Sequence, residues 1–389
     1  MNGRAPPRTA RGLAPWCPTA PDRVSDKKGP VYFTDRMQKA LFALLAASSA
    51  AVVCASAFRS KLFSALRTRV PLLATGASSS AGASSSNESV RWTVAAEEQV
   101  RSALSEETRS ILQTAWEQDS ELLEFTSRGG RHFAQPLVQE EHGTEMHHTL
   151  AWAEAGGLPK AASRPGVLLV HTAVGPQDLW LRWRAQSLAS RGYVVLIADL
   201  LGDPLGDAWD PAFGVPARHY VADERPLLLL RTKAALAALA ASPLVDESKL
   251  AAVGWCFGGK AVADLIKASS VGDGLRGIVS FHGTVDAYEP PSYAAAKSEG
   301  KLRIDARALI AHANADPFVP RENVDGFLSQ LDAAGATWEL LVFGGGALHA
   351  FTNPAQAINE KPQFDYDQGA ARASWSAAEV FLRSIFTDP

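Results

Sequence analysis

Residues 250–260 read LAAVGWCFGGK, and this stretch decides the fold. Its first five residues are apolar or small and predict a buried strand, whereas the residues from 257 onward predict a helix. Between them, Gly254-Trp-Cys-Phe-Gly258 must carry the chain from strand to helix within two residues. Such a change forces the central residue, Cys256, into strained backbone angles, and small residues on either side prevent clashes. The pattern G-x-C-x-G therefore predicts a turn that presents Cys256 as a nucleophile.

The same alternation of strands and helices continues on both sides of this turn. Short apolar runs indicate strands buried on both faces, and stretches with helical spacing separate them. The predicted strands are residues 166–170, 193–198, 249–254, 277–281, 306–312 and 339–343, and the main predicted helices are residues 180–190, 225–241, 257–269, 320–334 and 370–385. This order predicts an α/β protein whose mostly parallel central sheet carries helices on both faces, with its site at the carboxyl ends of the strands.

Two elements precede this alternating region. Residues 97–123 show helical spacing of apolar groups among many charges, which predicts a surface helix that serves as a brace or a lid. Residues 133–138 and 145–152 alternate in the manner of strands and predict an antiparallel pair at the edge of the sheet.

Two residues after Cys256 complete a candidate catalytic set. A thiolate nucleophile needs a base, and the base needs an orienting group. Asp316 follows one predicted strand and His349 follows the next one, so both fall at strand ends in the order nucleophile, acid, histidine. That order is the one found in the α/β-hydrolase fold. The alternatives are a buried structural thiol at Cys256, a helix N-cap at Asp316 and an ordinary loop histidine at His349.

Charge and cysteine usage narrow the class of protein. The formal net charge is −3, but residues 1–90 carry twelve Lys/Arg and four Asp/Glu, so that part is +8 and the remainder is −11. An acidic body argues against a nucleic-acid-binding protein. Because Cys17 and Cys54 lie in the basic part, the body holds only Cys256 and forms no internal disulfide.

The remaining histidines give weaker signals. His147 and His148 are neighbours on a predicted strand and point to opposite faces, so with His142 they favour an exposed polar strand over a metal site. His282 ends a strand and either lines the pocket or is structural, and His312 is expected to be packed. Since the chain has no glycine-rich phosphate loop and no zinc-spaced pair, we expect no cofactor and no metal.

Six segments of the body resemble the dienelactone hydrolase family, over roughly residues 165–386. They read RPGVLLVHTAVG, ASRGYVVLIADLLG, VGWCFGGKAVADL, VSFHG, ANADPFVP and GGGALHAFTNP. The resemblance implies an α/β-hydrolase fold and a Cys–His–Asp triad, carried here by Cys256, His349 and Asp316. It also implies an oxyanion hole formed by the backbone N–H groups of Phe257 and Ala173.

Two positions depart from the founding bacterial enzymes of that family. Their glutamate in the first loop, which takes part in activating the thiol, is Thr172 here. Their arginine shortly after the catalytic histidine, which helps hold the substrate carboxylate, is Asn353 here. Thr172, His282 and Phe351 are candidate residues of the substrate pocket.

These residues predict a cofactor-free hydrolase of small esters, lactones or thioesters that works through an acyl-enzyme intermediate. Its partner is then a small-molecule ester or lactone. The alternative is a non-catalytic protein of the same fold that binds a small ligand or a partner, which the missing loop glutamate at Thr172 favours.

The first 88 residues predict a targeting leader and a flexible linker, with the hydrolase-like domain over residues 89–389. Residues 40–58 form an apolar run that follows Lys39 and ends in Ala-Ser-Ala, the pattern of a secretory signal peptide. The next residues are rich in Arg, Ser and Ala, as in plastid and mitochondrial transit peptides. Their order resembles the bipartite plastid leaders of algae with secondary plastids, which makes Met37 a candidate start. The alternatives are secretion, mitochondrial import and a membrane anchor.

The leader hypothesis predicts a shortened mature protein without a membrane segment. Cleavage after the Ala-Ser-Ala sequence, followed by removal of the transit part, leaves a chain that begins beyond residue 57. N-terminal sequencing of the protein isolated from its native cells measures this directly, and a mature chain that begins at Met1 would contradict the hypothesis.

Overall fold

A computed structural model describes residues 105–141, 143–155, 157–158, 163–202, 224–269 and 272–387. The leader predicted for residues 1–88 and the first part of the helix predicted for residues 97–123 lie outside these residues. Within the described ranges, no helix combines the length and the apolar character needed to cross a bilayer.

The described residues form an eight-stranded sheet in the order β1-β2-β4-β3-β5-β6-β7-β8. The strands are β1 (Arg131–Glu141), β2 (Thr144–Glu154), β3 (Arg164–Val170), β4 (Val194–Ala198), β5 (Val245–Trp255), β6 (Leu275–Phe281), β7 (Arg307–Ala313) and β8 (Trp338–Phe343). β1 and β2 pair antiparallel, β2 also pairs antiparallel with β4, and the remaining neighbours are parallel. The predicted α/β-hydrolase fold with its mostly parallel sheet is confirmed, and so is the antiparallel pair at its edge.

Helices cover both faces of this sheet. They are α1 (Glu106–Glu117), α2 (Ser120–Ser127), α3 (Leu179–Ser190), α4 (Arg225–Ala240), α5 (Phe257–Lys267), α6 (Pro291–Ser298), α7 (Arg321–Ala333) and α8 (Gln368–Thr387), and a short 3-10 helix spans Pro354–Ile358. Leu168 and Val170 of β3 belong to one hydrophobic cluster with residues of α4, α5 and α7, whereas Val167 and Leu169 belong to a second cluster with residues of α3 and α8. Since successive strand residues point to opposite faces, burial on both sides explains the continuous apolar runs.

The prediction of a single helix over residues 97–123 is wrong. The described part of this range, from residue 105 onward, contains α1 and the start of α2. Asp119 interrupts it by capping α2, where its side chain accepts hydrogen bonds from two N–H groups of the first turn. Leu112 on α1 is buried in the same hydrophobic cluster as α3 and α8. The indole of Trp116 donates to Gln186 on α3, with 3.1 Å between nitrogen and oxygen. These contacts make α1 a brace on one face of the sheet.

β2 is not the exposed polar strand predicted from its sequence. The side chain of His148 is only 2% exposed, and its Nδ1 accepts a hydrogen bond of 2.9 Å from the backbone of Asp199, just after β4. The buried Asp199 carboxylate accepts hydrogen bonds from the backbone N–H groups of His147, Leu201 and Gly202, at 2.8–3.0 Å. This carboxylate therefore fixes the first residues after β4.

A buried ionic cluster joins α4 to α5. The guanidinium of Arg225 donates to both oxygens of Asp264 on α5, at 2.6 and 2.8 Å, and to Asp286 after β6, at 2.7 Å. Lys267 on α5 lies beside it with a fully buried side chain and donates to Gln330 on α7, at 3.2 Å. Burial lowers the pKa of Lys267 to about 8, although Asp264 and Asp286 oppose this effect. No pattern in the sequence predicts this cluster.

Asp264→Asn is expected to destabilise the protein strongly. The change leaves Arg225 and Lys267 with one carboxylate instead of two in a buried setting, and breaking a buried ion pair costs about 3–5 kcal/mol. The matched control is Asp325→Asn, which breaks the exposed pair between Arg321 and Asp325 on α7 and should cost less than about 1 kcal/mol. Urea denaturation measures the free energy of unfolding of each variant. Equal losses in the two variants would contradict the structural role of the cluster.

Candidate active site

Cys256 stands between β5 and α5 with a backbone that L-amino acids rarely adopt. Its φ is 54° and its ψ is −114°, and a positive φ at a non-glycine residue outside the usual left-handed region marks strain. The N–H of Cys256 donates to the carbonyl of Phe281 at 3.1 Å, and its carbonyl accepts from Thr284 at 3.2 Å. The segment at the end of β6 therefore holds this backbone in place.

Glycines on both sides of the turn permit a close approach. A Cβ at Gly254 would collide with the carbonyl of Gly258, and a Cβ at Gly258 would collide with the carbonyl of Val170 at the end of β3. The first turn of α5 thus lies directly against β3 and the loop that follows it. Cys256 is the N-cap of α5, where the free N–H groups and the helix dipole favour a negative charge.

Asp316 and His349 meet at the carboxyl ends of β7 and β8. Oδ2 of Asp316 lies 2.6 Å from Nδ1 of His349, and both side chains are buried. Oδ1 of Asp316 accepts the N–H of Phe318 at 2.9 Å. The alternative of a helix N-cap is wrong for Asp316, because α7 begins at Arg321 with Pro320 as its N-cap.

The imidazole of His349 links this carboxylate to Cys256. Since Nδ1 faces Asp316, Nε2 is the nitrogen left for the hydrogen bond with the Cys256 side chain. Burial alone would lower the pKa of His349, but the negative charge of Cys256 and the hydrogen bonds with Asp316 and Cys256 raise it to about 10. The arrangement thus favours a protonated imidazole at neutral pH.

A segment that the sequence analysis missed holds the loop of His349. The N–H of His349 donates to the carbonyl of Gln363 at 3.2 Å, and its carbonyl accepts from Asp365 at 3.4 Å. Between these two residues, the ring of Phe364 meets the His349 ring at a centroid distance of 5.6 Å. The ring of Phe318 meets His349 from another side at 5.1 Å. In the sequence, the only indication of these contacts is that Phe318 stands two residues after Asp316.

The loop after β3 brings further groups to the start of α5. His171 stacks on Phe257, with 5.4 Å between ring centroids. Phe257 is the first residue of α5, so its N–H has no carbonyl one turn earlier to bind. Ala173 lies in the same loop as His171, and the Thr172 hydroxyl next to it accepts the N–H of Val174 at 3.2 Å. Thr172 is thus engaged in shaping this loop.

Two of the candidate pocket residues, Phe351 and His282, have buried side chains. Phe351 is completely buried and packs on Phe343, with 5.2 Å between ring centroids. Its assignment to the substrate pocket stays a prediction. His282 is also buried, and its Nε2 lies 2.9 Å from the Thr352 hydroxyl. Its ring meets the His349 ring edge-on at 5.1 Å. Burial and the nearby charge of His349 hold the pKa of His282 well below its usual value, which keeps it neutral.

The described residues contain no group of three or more His, Cys, Asp or Glu side chains suited to hold a metal ion. His142, one of the histidines considered for metal binding, lies outside the described residues. His312 is buried, as expected of a packed residue.

Comparisons with known proteins support the family and the fold. The model of the dienelactone hydrolase family matches residues 155–386. The solved dienelactone hydrolase-like promiscuous phosphotriesterase P91 from metagenomic libraries is 30% identical, with a TM-score of 0.55 over 66% of this chain and 99% of P91. The structure named m3DLH is 28% identical, with a TM-score of 0.56 over 66% of this chain and 99% of its own. An uncharacterized protein of Caenorhabditis elegans is 33% identical over 164 residues, which cover 42% of this chain and 98% of the worm protein.

Cys256→Ala is expected to lower the pKa of His349 from about 10 toward 6.5, because it removes the negative charge that contributes most to raising it. Histidine NMR titration measures the pKa, and His349→Gln assigns the resonance. Cys256→Ser keeps a hydrogen-bonding group without the thiolate charge and should also lower it.

The same shift makes stability depend on pH. Since the folded-state pKa of His349 lies above 6.5, its contribution to stability is complete below about pH 6.5 and is lost as the pH rises through about 10.

An unchanged His349 pKa in Cys256→Ala would show that the two side chains do not interact.

Proposed function

Because the chain belongs to the dienelactone hydrolase family, we propose that it is a cofactor-free hydrolase of small esters, lactones or thioesters, with Cys256, His349 and Asp316 as its triad. One observation carries the proposal: His349 lies between the strained nucleophile turn and a buried carboxylate, 2.6 Å from Asp316 and hydrogen-bonded to Cys256. Nucleophile, base and orienting acid are thus in mutual contact, which is the arrangement that nucleophilic catalysis requires.

In the first half of the reaction, His349 has taken the thiol proton and the Cys256 thiolate attacks the carbonyl carbon of the ester. The carbonyl oxygen becomes an oxyanion, for which we propose the N–H groups of Phe257 and Ala173 as donors. The C–O bond to the alcohol then breaks, and Nε2 of His349 gives its proton to the leaving oxygen. The product of this half is an acyl-cysteine thioester and a free alcohol.

In the second half, water replaces the alcohol. Nε2 of His349 takes a proton from the water, whose oxygen attacks the thioester carbonyl, and Cys256 leaves as a thiolate with the acid released. Asp316 holds the imidazole so that Nδ1 keeps its proton and Nε2 faces the reacting atoms.

Thiol activation does not need a carboxylate in the loop after β3. Thr172 occupies the position where the founding enzymes of the family carry a glutamate, and its hydroxyl is engaged with Val174. The charge on His349 and the N-terminus of α5 support the thiolate instead. The second candidate, a non-catalytic binding protein of the same fold, predicts a Cys256 that alkylates no faster than a free cysteine.

Cys256→Ala and His349→Ala should each lower turnover of p-nitrophenyl acetate by about 10³-fold or more, since the members of such a set act as a unit. His147→Ala removes a half-exposed histidine of β2 and is the matched control, with activity unchanged. Mass spectrometry of His349→Ala after exposure to the ester should show one added acetyl group on Cys256.

A panel of esters, lactones, thioesters and one phosphotriester then defines the range of substrates, the phosphotriester being included because of the similarity to P91. Near-normal p-nitrophenyl acetate turnover in either alanine variant would exclude the mechanism.

A further inference from the structure

Phe318 is a large aromatic side chain left in contact with water beside the catalytic imidazole. Its side chain is 46% exposed, and its ring stands edge-on to that of His349 at a centroid distance of 5.1 Å. Its backbone N–H donates to Oδ1 of Asp316, which ties the position of the ring to the orienting carboxylate. An exposed phenylalanine held against a catalytic base is a candidate binding surface, because its burial by a ligand gains hydrophobic free energy.

Phe364 extends this surface. Its centroid lies 5.4 Å from that of Phe318 and 5.6 Å from that of His349, and its backbone forms a bridge with His349. Phe318 and Phe364 come from two different loops, so their meeting at one imidazole is a feature of the tertiary structure. We call these two residues the phenylalanine pair.

The two positions where the founding enzymes of the family carry charged residues offer no charge to the substrate here. The buried side chain of Asn353 accepts the N–H of Ala355 at 3.0 Å and caps the 3-10 helix. The Thr172 hydroxyl is engaged with Val174, which is itself an exposed apolar residue. The positions where the founding enzymes of the family carry an arginine and a glutamate are thus uncharged and occupied with backbone contacts.

The position of the phenylalanine pair relative to His349 indicates which half of an ester the pair contacts. In the mechanism proposed above, Nε2 of His349 must come within hydrogen-bond distance of the leaving oxygen. The substituent on that oxygen therefore extends along the side of the imidazole. Phe318 and Phe364 stand together on one side of this ring, so we infer that they meet the alcohol group and not the acyl group.

We propose that the phenylalanine pair binds the aromatic alcohol group of an uncharged ester and that Phe318 is a specificity-determining residue for this group. The inference rests on the proposed hydrolase function and names its class of substrate. Aromatic rings prefer offset or edge-to-face contacts at centroid distances of about 4.5–7 Å. A benzyl or phenyl leaving group adds a third ring to the pair in such a contact.

The test compares three uncharged esters and three forms of the full-length protein. Benzyl acetate and ethyl acetate share their acyl group and hence the same acetyl-enzyme, whereas methyl phenylacetate carries its ring on the acyl side. In Phe318→Ala, kcat/KM for benzyl acetate should fall roughly 3- to 10-fold relative to ethyl acetate, and kcat/KM for methyl phenylacetate should not change. Leu123→Ala removes an equally exposed apolar side chain from α2 and should alter none of the three.

Every other outcome overturns the inference. An equal fall for all three esters would indicate that Phe318 only supports His349, and a fall restricted to methyl phenylacetate would place the pair at the acyl group. No change at all would show that the ring does not touch the substrate. Hydrolysis of 4-carboxybenzyl acetate by the unaltered protein as fast as benzyl acetate would contradict the uncharged class.

Failure of the inference is distinguishable from failure of the proposed function. Activity that requires Cys256 but is indifferent to Phe318 removes only the inference. Activity that persists in Cys256→Ala, or no hydrolysis of any ester in the panel, removes the proposed function and the inference with it. Unchanged alkylation of Cys256 by iodoacetamide in Phe318→Ala confirms that the variant keeps its nucleophile intact.

Discussion

The arrangement of the site depends on one constraint, the positive φ of Cys256. A strained backbone of this kind costs on the order of 1–3 kcal/mol and persists only where the surroundings over-determine it. Here Cys256 donates a hydrogen bond to Phe281 and accepts one from Thr284 on one side, and the glycines at positions 254 and 258 allow β3 to approach closely on the other. Because β5 is central in the sheet, this strain is supported by neighbours on both edges. The fold itself therefore holds the proposed nucleophile in position.

The pKa of each histidine in the site depends on two effects, its burial and the charges of its neighbours. Burial opposes protonation of His349, and the thiolate and Asp316 more than offset this opposition. The neighbouring His282 experiences the same burial without a carboxylate partner of its own, so it stays neutral. Two imidazoles 5.1 Å apart thus differ in charge because only one of them lies between two anions.

Local patterns predicted much of this structure, and their limits are physical. Cys256, Asp316 and His349 could be located because each follows a strand of the parallel part of the sheet, and a parallel sheet brings such ends to one edge. The Arg225 cluster could not, since its partners are 39 and 61 residues away in sequence and depend on how α4 packs on α5. His148 was misjudged because its side of β2 is buried and its ring accepts a hydrogen bond from the backbone of Asp199, which follows β4. The turn after His349 directs the side chain of Phe351 inward. The spacing of apolar residues in the sequence does not indicate this turn.

Two buried carboxylates fix the backbone at the end of β4 and at the start of α4. Asp199 accepts hydrogen bonds from the N–H groups of Leu201 and Gly202, which follow β4, and Asp264 accepts from the guanidinium of Arg225, the first residue of α4. Salt screens buried charges much less than it screens exposed pairs. The backbone at these two points should therefore keep its position over a wide range of ionic strength.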